Sequence, residues 1–469
     1  MLKVFMALGI VLVLAAADDH TAWQAGGKKS QHDFRSPGGG VWYETDKGKI
    51  NFTYRETSRT PEAVTIRDAS RNIAIRLSSS QAEFSEDGGK KWTQFQKGRW
   101  VNLKALPVVR LPSPADYKIR LIYFVPSDRT PTANYVEKIR TLMTFVSEVF
   151  RDDLRAKGYM TDGPQFETAG GEIVVHLVKG SRPARYYNGF PKYDEDKQGT
   201  LIIDEVSESI YQPRSQVGVI FTEVYETGPA PIEWGGGIAH GSKTSDDSGY
   251  GFFSAWILQD QFCPTNRAGL QKVFADTTPV PGRSAMGHGQ KNSPRFEFVE
   301  DGMGAVIHEL GHALGLPHDN TPLSIMNNGF RELRANVLAE SGLPTVGFIP
   351  ESARVLMCHR HLNPALDRTD AAPPICKAEL VGKPSLGATT LAVKLTASDD
   401  KALRAALVFV ENGGGDYVAG GRDLTEKEQT VMIDLTLRPL KRGTFNVVVD
   451  IADQGGNHTT TTIASRLEK

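Results

Sequence analysis

Hydrophobic residues along this chain change their period from one region to the next, and each change predicts a different kind of structure. From Val41 to about residue 103, short β-prone runs at 41–43, 50–54, 63–66 and 73–77 alternate with turns; Asp87-Gly88-Gly89 is a further turn, and 92–95 alternates after it. The pattern predicts a small all-β domain over residues 18–105, either a propeptide or an accessory module. Its first part, ending in Pro37-Gly38-Gly39-Gly40, reads as a flexible lead-in. After Arg120 the run 121–125 is unbroken apolar, and 120–125 reads as a strand covered on both faces. Val136, Ile139, Met143, Val146, Phe150 and Leu154 then fall on one stripe, predicting a long amphipathic helix that stops at Gly158. Apolar strands are expected at 173–178, 200–203 and 217–221. Residues 299–314 read as a helix with Asp301 near its start, and Pro350-Glu351-Ser352 opens a last one over 353–361. Beyond Ala371-Ala372-Pro373-Pro374, runs at 391–395, 405–410, 431–435 and 445–449 lie between Gly-rich turns at a spacing suited to a β-sandwich.

These segments give a multidomain layout, with α/β and all-β parts: 1–17, 18–105, 110–365, a linker at 366–374, and 375–469. The first segment carries an export signal. Lys3 is a basic start, residues 4–14 are an apolar run too short for a comfortable membrane span, and Ala15-Ala16-Ala17 fits a cleavage site. The expected location is therefore secreted or periplasmic, and no later segment is apolar enough to add a membrane span. With 469 residues, 40% hydrophobic and 23% charged, the chain is globular in composition. Its net charge of −1 gives no reason to expect nucleic acid or an anionic membrane as partner. The three cysteines are Cys263, Cys358 and Cys376, an odd number; a Cys263–Cys358 bridge fits an oxidising compartment, and an unpaired set is the alternative.

Candidate chemistry is concentrated in His308-Glu309-Leu310-Gly311-His312-Ala313-Leu314-Gly315-Leu316-Pro317-His318. His308 and His312 are one helical turn apart on one face, so both imidazoles can reach a single ion at the roughly 2.0–2.1 Å of Zn–N bonds. Glu309 projects toward the same cleft, suited to taking a proton from water. His318 has to arrive from another direction, so the helix must stop; Gly315 can supply the left-handed stop and Pro317 stiffens the return. Three neutral nitrogens with a fourth position open is the pattern of a catalytic zinc site. The bland alternative is a histidine pair on an ordinary helix, but five fixed positions coincide by chance in on the order of one in 10⁴–10⁵ chains of this length. Elsewhere, His240 reads as a satisfied polar residue. His359 and His361, two apart on a helix, would face different ways. Asp399, Asp400 and Asp453 are oxygen donors that could take Ca²⁺, though turn acids are usually only solvated.

The extended motif, together with Met326 in Ser324-Ile325-Met326-Asn327, resembles the metzincin zinc endopeptidases. The run from His308 to Leu316 looks most like the matrixin branch and Asp319 like the adamalysin branch, while Asn328 stands where astacins and serralysins carry a tyrosine. The resemblance is carried by about residues 301–330 and extends more weakly over 110–365. It implies a zincin-like α+β catalytic domain there, one catalytic Zn²⁺ on His308, His312 and His318, and Glu309 as general base. It further implies Met326 as an apolar floor below the imidazoles, and an edge strand near Gly236, Gly237, Ile238 and Ala239 that pairs with extended substrate. Asp319 would support the site or act as a local cap. No cysteine lies between the signal and Cys263, so a matrixin-type cysteine switch is not expected. Residues 375–469 resemble the immunoglobulin-like modules appended to many exported enzymes. The expected function is an exported zinc endopeptidase acting on protein or peptide. Two alternatives are an exported adhesion or binding protein that uses the zinc domain as a scaffold, and a zinc amidase acting on non-protein substrates.

Overall fold

The computed structural model describes residues 20–26, 32–38, 41–46, 49–68, 71–101, 117–190, 192, 194–207, 216–226, 239–285, 290–338, 342–411 and 416–467. The expected signal at 1–17 lies outside them. The chain divides into two compact units, Met1–Leu111 and Pro112–Lys469.

The first unit is a closed barrel of eight antiparallel strands: β1 (Ala22–Ala25), β2 (Asp33–Gly38), β3 (Val41–Asp46), β4 (Lys49–Arg59), β5 (Ala63–Asp68), β6 (Ile73–Ser78), β7 (Gln81–Ser85) and β8 (Thr93–Trp100). Period-two alternation points Val64, Ile66, Ile75 and Leu77 inward, around Trp23, Phe34 and Trp42. The reading of the first part as a flexible lead-in is corrected. β1 and β2 come from it, and β1 closes the barrel by pairing with β8, Trp23 opposite Trp100. Each contributes one large inward ring, Trp23 or Phe34, and the ladder supplies the rest.

In the second unit a five-stranded sheet runs in the order β12 (Val175–Lys179), β9 (Arg120–Val125), β13 (Val217–Thr222), β15 (Ser248–Ser254), β14 (Ala239–Ser245), with only β14 antiparallel; β10 (Thr168–Ala169) and β11 (Glu172–Ile173) form a small hairpin. β9 is buried throughout because its two faces meet different layers. Leu121 and Tyr123 pack with Ile139, Met143 and Phe150 of α1 (Tyr135–Ala156), while Ile122 and Phe124 pack with Ile202 and Val206. The last two belong to a helix, not to the strand expected at 200–203. After α2 (Ala184–Asn188), α3 spans Glu195–Ser207, and Asp194 Oδ1 accepts the Lys197 amide at 3.0 Å as its N-terminal cap. Gln198, Ile202 and Val206, four apart, are its buried face.

Against the other face lies α5 (Arg295–Ala313), preceded by α4 (Arg267–Ala275). It begins four residues earlier than expected. Asp301 is therefore interior to it and buried, where it accepts Arg331 Nη1 at 3.0 Å. The short α6 (Arg334–Val337) and α7 (Pro350–Leu356) follow. α7 ends before His359, so His359 and His361 do not diverge as on a helix. They meet in a buried turn with Nδ1 atoms 3.3 Å apart, and burial drives His361 down to about 3, keeping it neutral.

Residues 375–467 form a seven-stranded sandwich. One sheet is β16 (Ile375–Val381), β17 (Thr390–Ser398) and β20 (Glu428–Thr436); the other, in order, is β19 (Asp416–Asp423), β18 (Leu403–Glu411), β21 (Gly443–Asp453) and β22 (His458–Leu467). It packs directly on the α/β part. Arg354 Nε meets Asp423 Oδ1 at 2.8 Å, and Arg404 Nε donates to the Met357 carbonyl at 2.9 Å. The expected linker is itself tied down, with the Asp367 amide donating to the Gln454 carbonyl at 2.8 Å. All three cysteines are free. Buried Cys263 faces the Lys138 carbonyl, whereas Cys358 packs with Ala405 and Ala452, so the two do not meet.

Candidate active site

α5 carries His308, Glu309 and His312 as an i, i+1, i+4 set, and its end is built as the spacing requires. Gly315 sits at φ +90°, the Leu316 amide donates to the Gly311 carbonyl at 2.9 Å, and the Gly315 amide to the His312 carbonyl at 2.9 Å. This is a Schellman stop, and the chain leaving it returns His318 toward the other two histidines. His312 Nε2 lies 3.1 Å from His308 Nε2, and His318 Nε2 lies 3.3 Å from it. Two nitrogens held tetrahedrally at roughly 2.0–2.1 Å from one ion stand about 3.3 Å apart. The other ring nitrogens are engaged: His308 Nδ1 donates to the Ile325 carbonyl at 2.7 Å and His312 Nδ1 to the Leu316 carbonyl at 2.6 Å. Those bonds fix the tautomer that leaves each Nε2 lone pair pointing into the cluster. Burial, then the neighbouring His312 and His318, push His308 down to about 3, so it is neutral. The donor set and spacing fit Zn²⁺.

The cleft above the cluster has a volume of about 430 Å³ and is lined by Ala239 to Lys243 of β14 together with Glu309, His312 and His318. β14 is the sheet's last strand, and its outer edge pairs with no other strand among the described residues. Of the residues expected to bind extended substrate, Ala239 begins this strand; Gly236, Gly237 and Ile238 lie outside the described residues.

Two close approaches, one from β14 and one from its neighbour β15, hold the helix against the sheet edge. A Cβ on Gly241 would stand 2.0 Å from the Glu309 carbonyl oxygen, and one on Gly249 would stand 2.1 Å from that of Ala313. Sequence reasoning assigned the glycines near here to substrate; Gly241 and Gly249 serve the helix. On the opposite side of α5, fully buried Met326 packs its Sδ where a Cβ on Gly311 would come to 2.6 Å, between the turns that carry the two histidines. Asp319 takes the local-cap role: Oδ1 accepts the Thr321 amide at 2.8 Å and Oδ2 the Ser324 hydroxyl, closing the loop onto Met326. The sandwich reaches this loop as well. His318 makes a backbone bridge to Tyr417, and Arg438 Nε donates to Asn320 Oδ1 at 2.7 Å.

Residues 262–345, which include the histidine motif, match a family described as "Putative peptidase family". Among solved structures, wild-type OgpA from Akkermansia muciniphila is similar at a TM-score of 0.51 and 14% identity, over 76% of this chain and 94% of that one. Catalytically inactive OgpA, in complex with an O-glycopeptide (glycodrosocin) substrate, gives a TM-score of 0.50 at 14% identity, over 76% and 95%. At that identity the likeness is one of fold. No curated protein matches the chain.

Proposed function

We propose that this protein is an exported zinc endopeptidase of metzincin type. The observation that carries the reading is the convergence of three Nε2 atoms beside Glu309, in a cleft walled by an open strand edge. His308, His312 and His318 would hold the ion. When bound there, Zn²⁺ supplies Lewis acidity, lowering the pKa of a coordinated water and polarising a carbonyl. The chain's own groups do the remainder. β14 takes an extended peptide as an added strand, its main-chain groups binding backbone whatever the side chains. The Glu309 carboxylate accepts the water proton and returns it to the leaving amine. Met326 and Gly311 hold the two helical imidazoles at a fixed height.

The test compares wild type with Glu309→Ala on a mixture of denatured proteins and O-glycopeptides, with zinc added and fragments mapped by mass spectrometry. The fold shared with OgpA is the reason for including glycopeptides. Internal cuts by wild type alone, with zinc bound equally by both, are expected. Equal cutting by Glu309→Ala would remove the mechanism. Zinc binding with no cuts by either would favour the scaffold reading.

A further inference from the structure

Three carboxylates converge where the segment 366–374 meets the sandwich. Asp370 comes from that segment, Asp399 follows β17, and Asp453 ends β21; each offers an oxygen, and these lie within 4.8 Å of one another. Asp370 and Asp453 are 4% and 0% exposed. Asp453 is held by the Gly455 and Asn457 amides on Oδ1 at 2.7 and 2.9 Å, and by Asn457 Nδ2 on Oδ2 at 2.9 Å. Asp399 Oδ1 accepts the Lys401 amide at 2.9 Å, and Asp370 Oδ1 accepts only a long bond from the Ala372 amide at 3.3 Å. The second oxygens, Asp370 Oδ2 and Asp399 Oδ2, are buried with no hydrogen-bond partner among the described residues. The nearby Lys401 ammonium is taken by Asp367 Oδ2 at 2.7 Å and Thr369 Oγ1 at 3.3 Å. Gly455 makes room for the cluster, since a Cβ there would stand 2.5 Å from that of Asp370.

A buried carboxylate oxygen with no partner is costly, and the unpartnered oxygens of Asp370 and Asp399 beside the buried Asp453 carboxylate are more so, unless a cation joins the three. The donors are all hard oxygens. Ca²⁺ binds such oxygens at roughly 2.3–2.6 Å, so any two of its ligands stand no more than about 5 Å apart, a limit that the three oxygens, all within 4.8 Å of one another, meet. We infer that Asp370, Asp399 and Asp453 form a Ca²⁺ site that clamps the 366–374 segment to the sandwich. Asp400, grouped with the other two on sequence, is not a member; Asp370, some thirty residues earlier, takes its place. None of the three lines the histidine cleft, and the inference does not depend on how that cleft is read.

The full chain, stripped of divalent ions and reloaded with zinc, is titrated with CaCl₂ and separately MgCl₂ by calorimetry, and its thermal unfolding is followed with and without millimolar Ca²⁺. Expected are one Ca²⁺ per chain and a raised Tm, as for any ligand that binds only the folded state. Affinity should fall by about tenfold or more in Asp370→Asn and Asp399→Asn and stay unchanged in Asp400→Asn, with each variant's fold checked by circular dichroism. If Asp370→Asn fails to fold, half-buried Asp399→Asn decides alone. The absence of both heat and Tm shift in wild type would overturn the proposal, as would equal Ca²⁺ binding by wild type and Asp399→Asn.

Discussion

Gly241→Ala is the most direct probe of how the candidate site is held. The added methyl would lie 2.0 Å from the Glu309 carbonyl oxygen and 2.9 Å from His312 Cβ, and both neighbours are fixed to α5. Reaching an ordinary contact of 3.4 Å requires strand and helix to part by about 1.4 Å, because neither obstacle is the far end of a flexible side chain. Overpacking of this kind costs about 1–3 kcal/mol of stability. The larger effect falls on chemistry, since a misplacement of about 1 Å in a catalytic constellation can cost on the order of 10²-fold. The motion separates Glu309 and His312 from the strand edge that would hold the peptide, so turnover should drop by about that factor. Zinc content should survive, because His308 and His312 move together on α5 and His318 is tied to its end by the Gly315 turn. The assay is kcat/KM on a mapped peptide, with bound zinc and Tm measured alongside. Ser242→Ala is the control: among the described residues its hydroxyl bonds to the adjacent Lys243 carbonyl, the substitution adds no atom against α5, and it leaves the strand's main-chain groups in place. Wild-type kcat/KM and Tm in Gly241→Ala would refute the claim that this close approach positions the site.

Three further outcomes are expected. Glu167 accepts Arg120 Nε at 2.7 Å and faces His176 Nε2 at 3.0 Å; burial raises its pKa, but these two partners outweigh burial and bring it from 4.5 to about 2. A carboxyl depressed in the folded state stabilises above its unfolded pKa, so Glu167→Gln should unfold more easily at pH 7, by about 3 kcal/mol. The gap should close as pH falls from about 4.5 toward about 2, and a gap in urea unfolding that stays constant across that window would contradict the assignment. Arg438→Ala removes the bond to Asn320 and the cation stacked 4.6 Å over Tyr417, so zinc should be lost to a chelator faster, by roughly a few-fold; an unchanged rate would mean that the sandwich does not brace the His318 loop. Alkylation of the native protein should modify Cys376 alone, because burial pushes the Cys263 and Cys358 thiols up to about 12; rapid labelling of either would rule out these buried, protonated thiols.

What could be read from the sequence was local. His308, Glu309, His312 and Gly315 are positioned by the helical repeat and one left-handed residue, so eleven consecutive residues specify the cluster without knowledge of the surrounding fold. Features that depend on distant partners are not legible in this way. The short run Thr200-Leu201-Ile202-Ile203 fits a strand or a buried helix equally well; what makes it helical is the Asp194 cap together with a sheet face waiting for Ile202 and Val206. β1, Ala22–Ala25, is too short to announce itself, and it exists because β8 supplies a ladder more than seventy residues away. His359 and His361 diverge only on a helix that runs to residue 361, and α7 stops at Leu356. Asp370 and Gly241 show the same limit at the two candidate sites. Each looks like a linker acid or a loop glycine until its opposite partner, Asp453 or the Glu309 carbonyl, is brought to it by the fold. The ligands of the histidine cluster are therefore encoded locally, while the strand that would present substrate to it and the sandwich that grips its third ligand are encoded globally. Substitutions far from the motif, at Gly241 or Arg438, should on this argument change turnover or metal retention while leaving every motif residue in place.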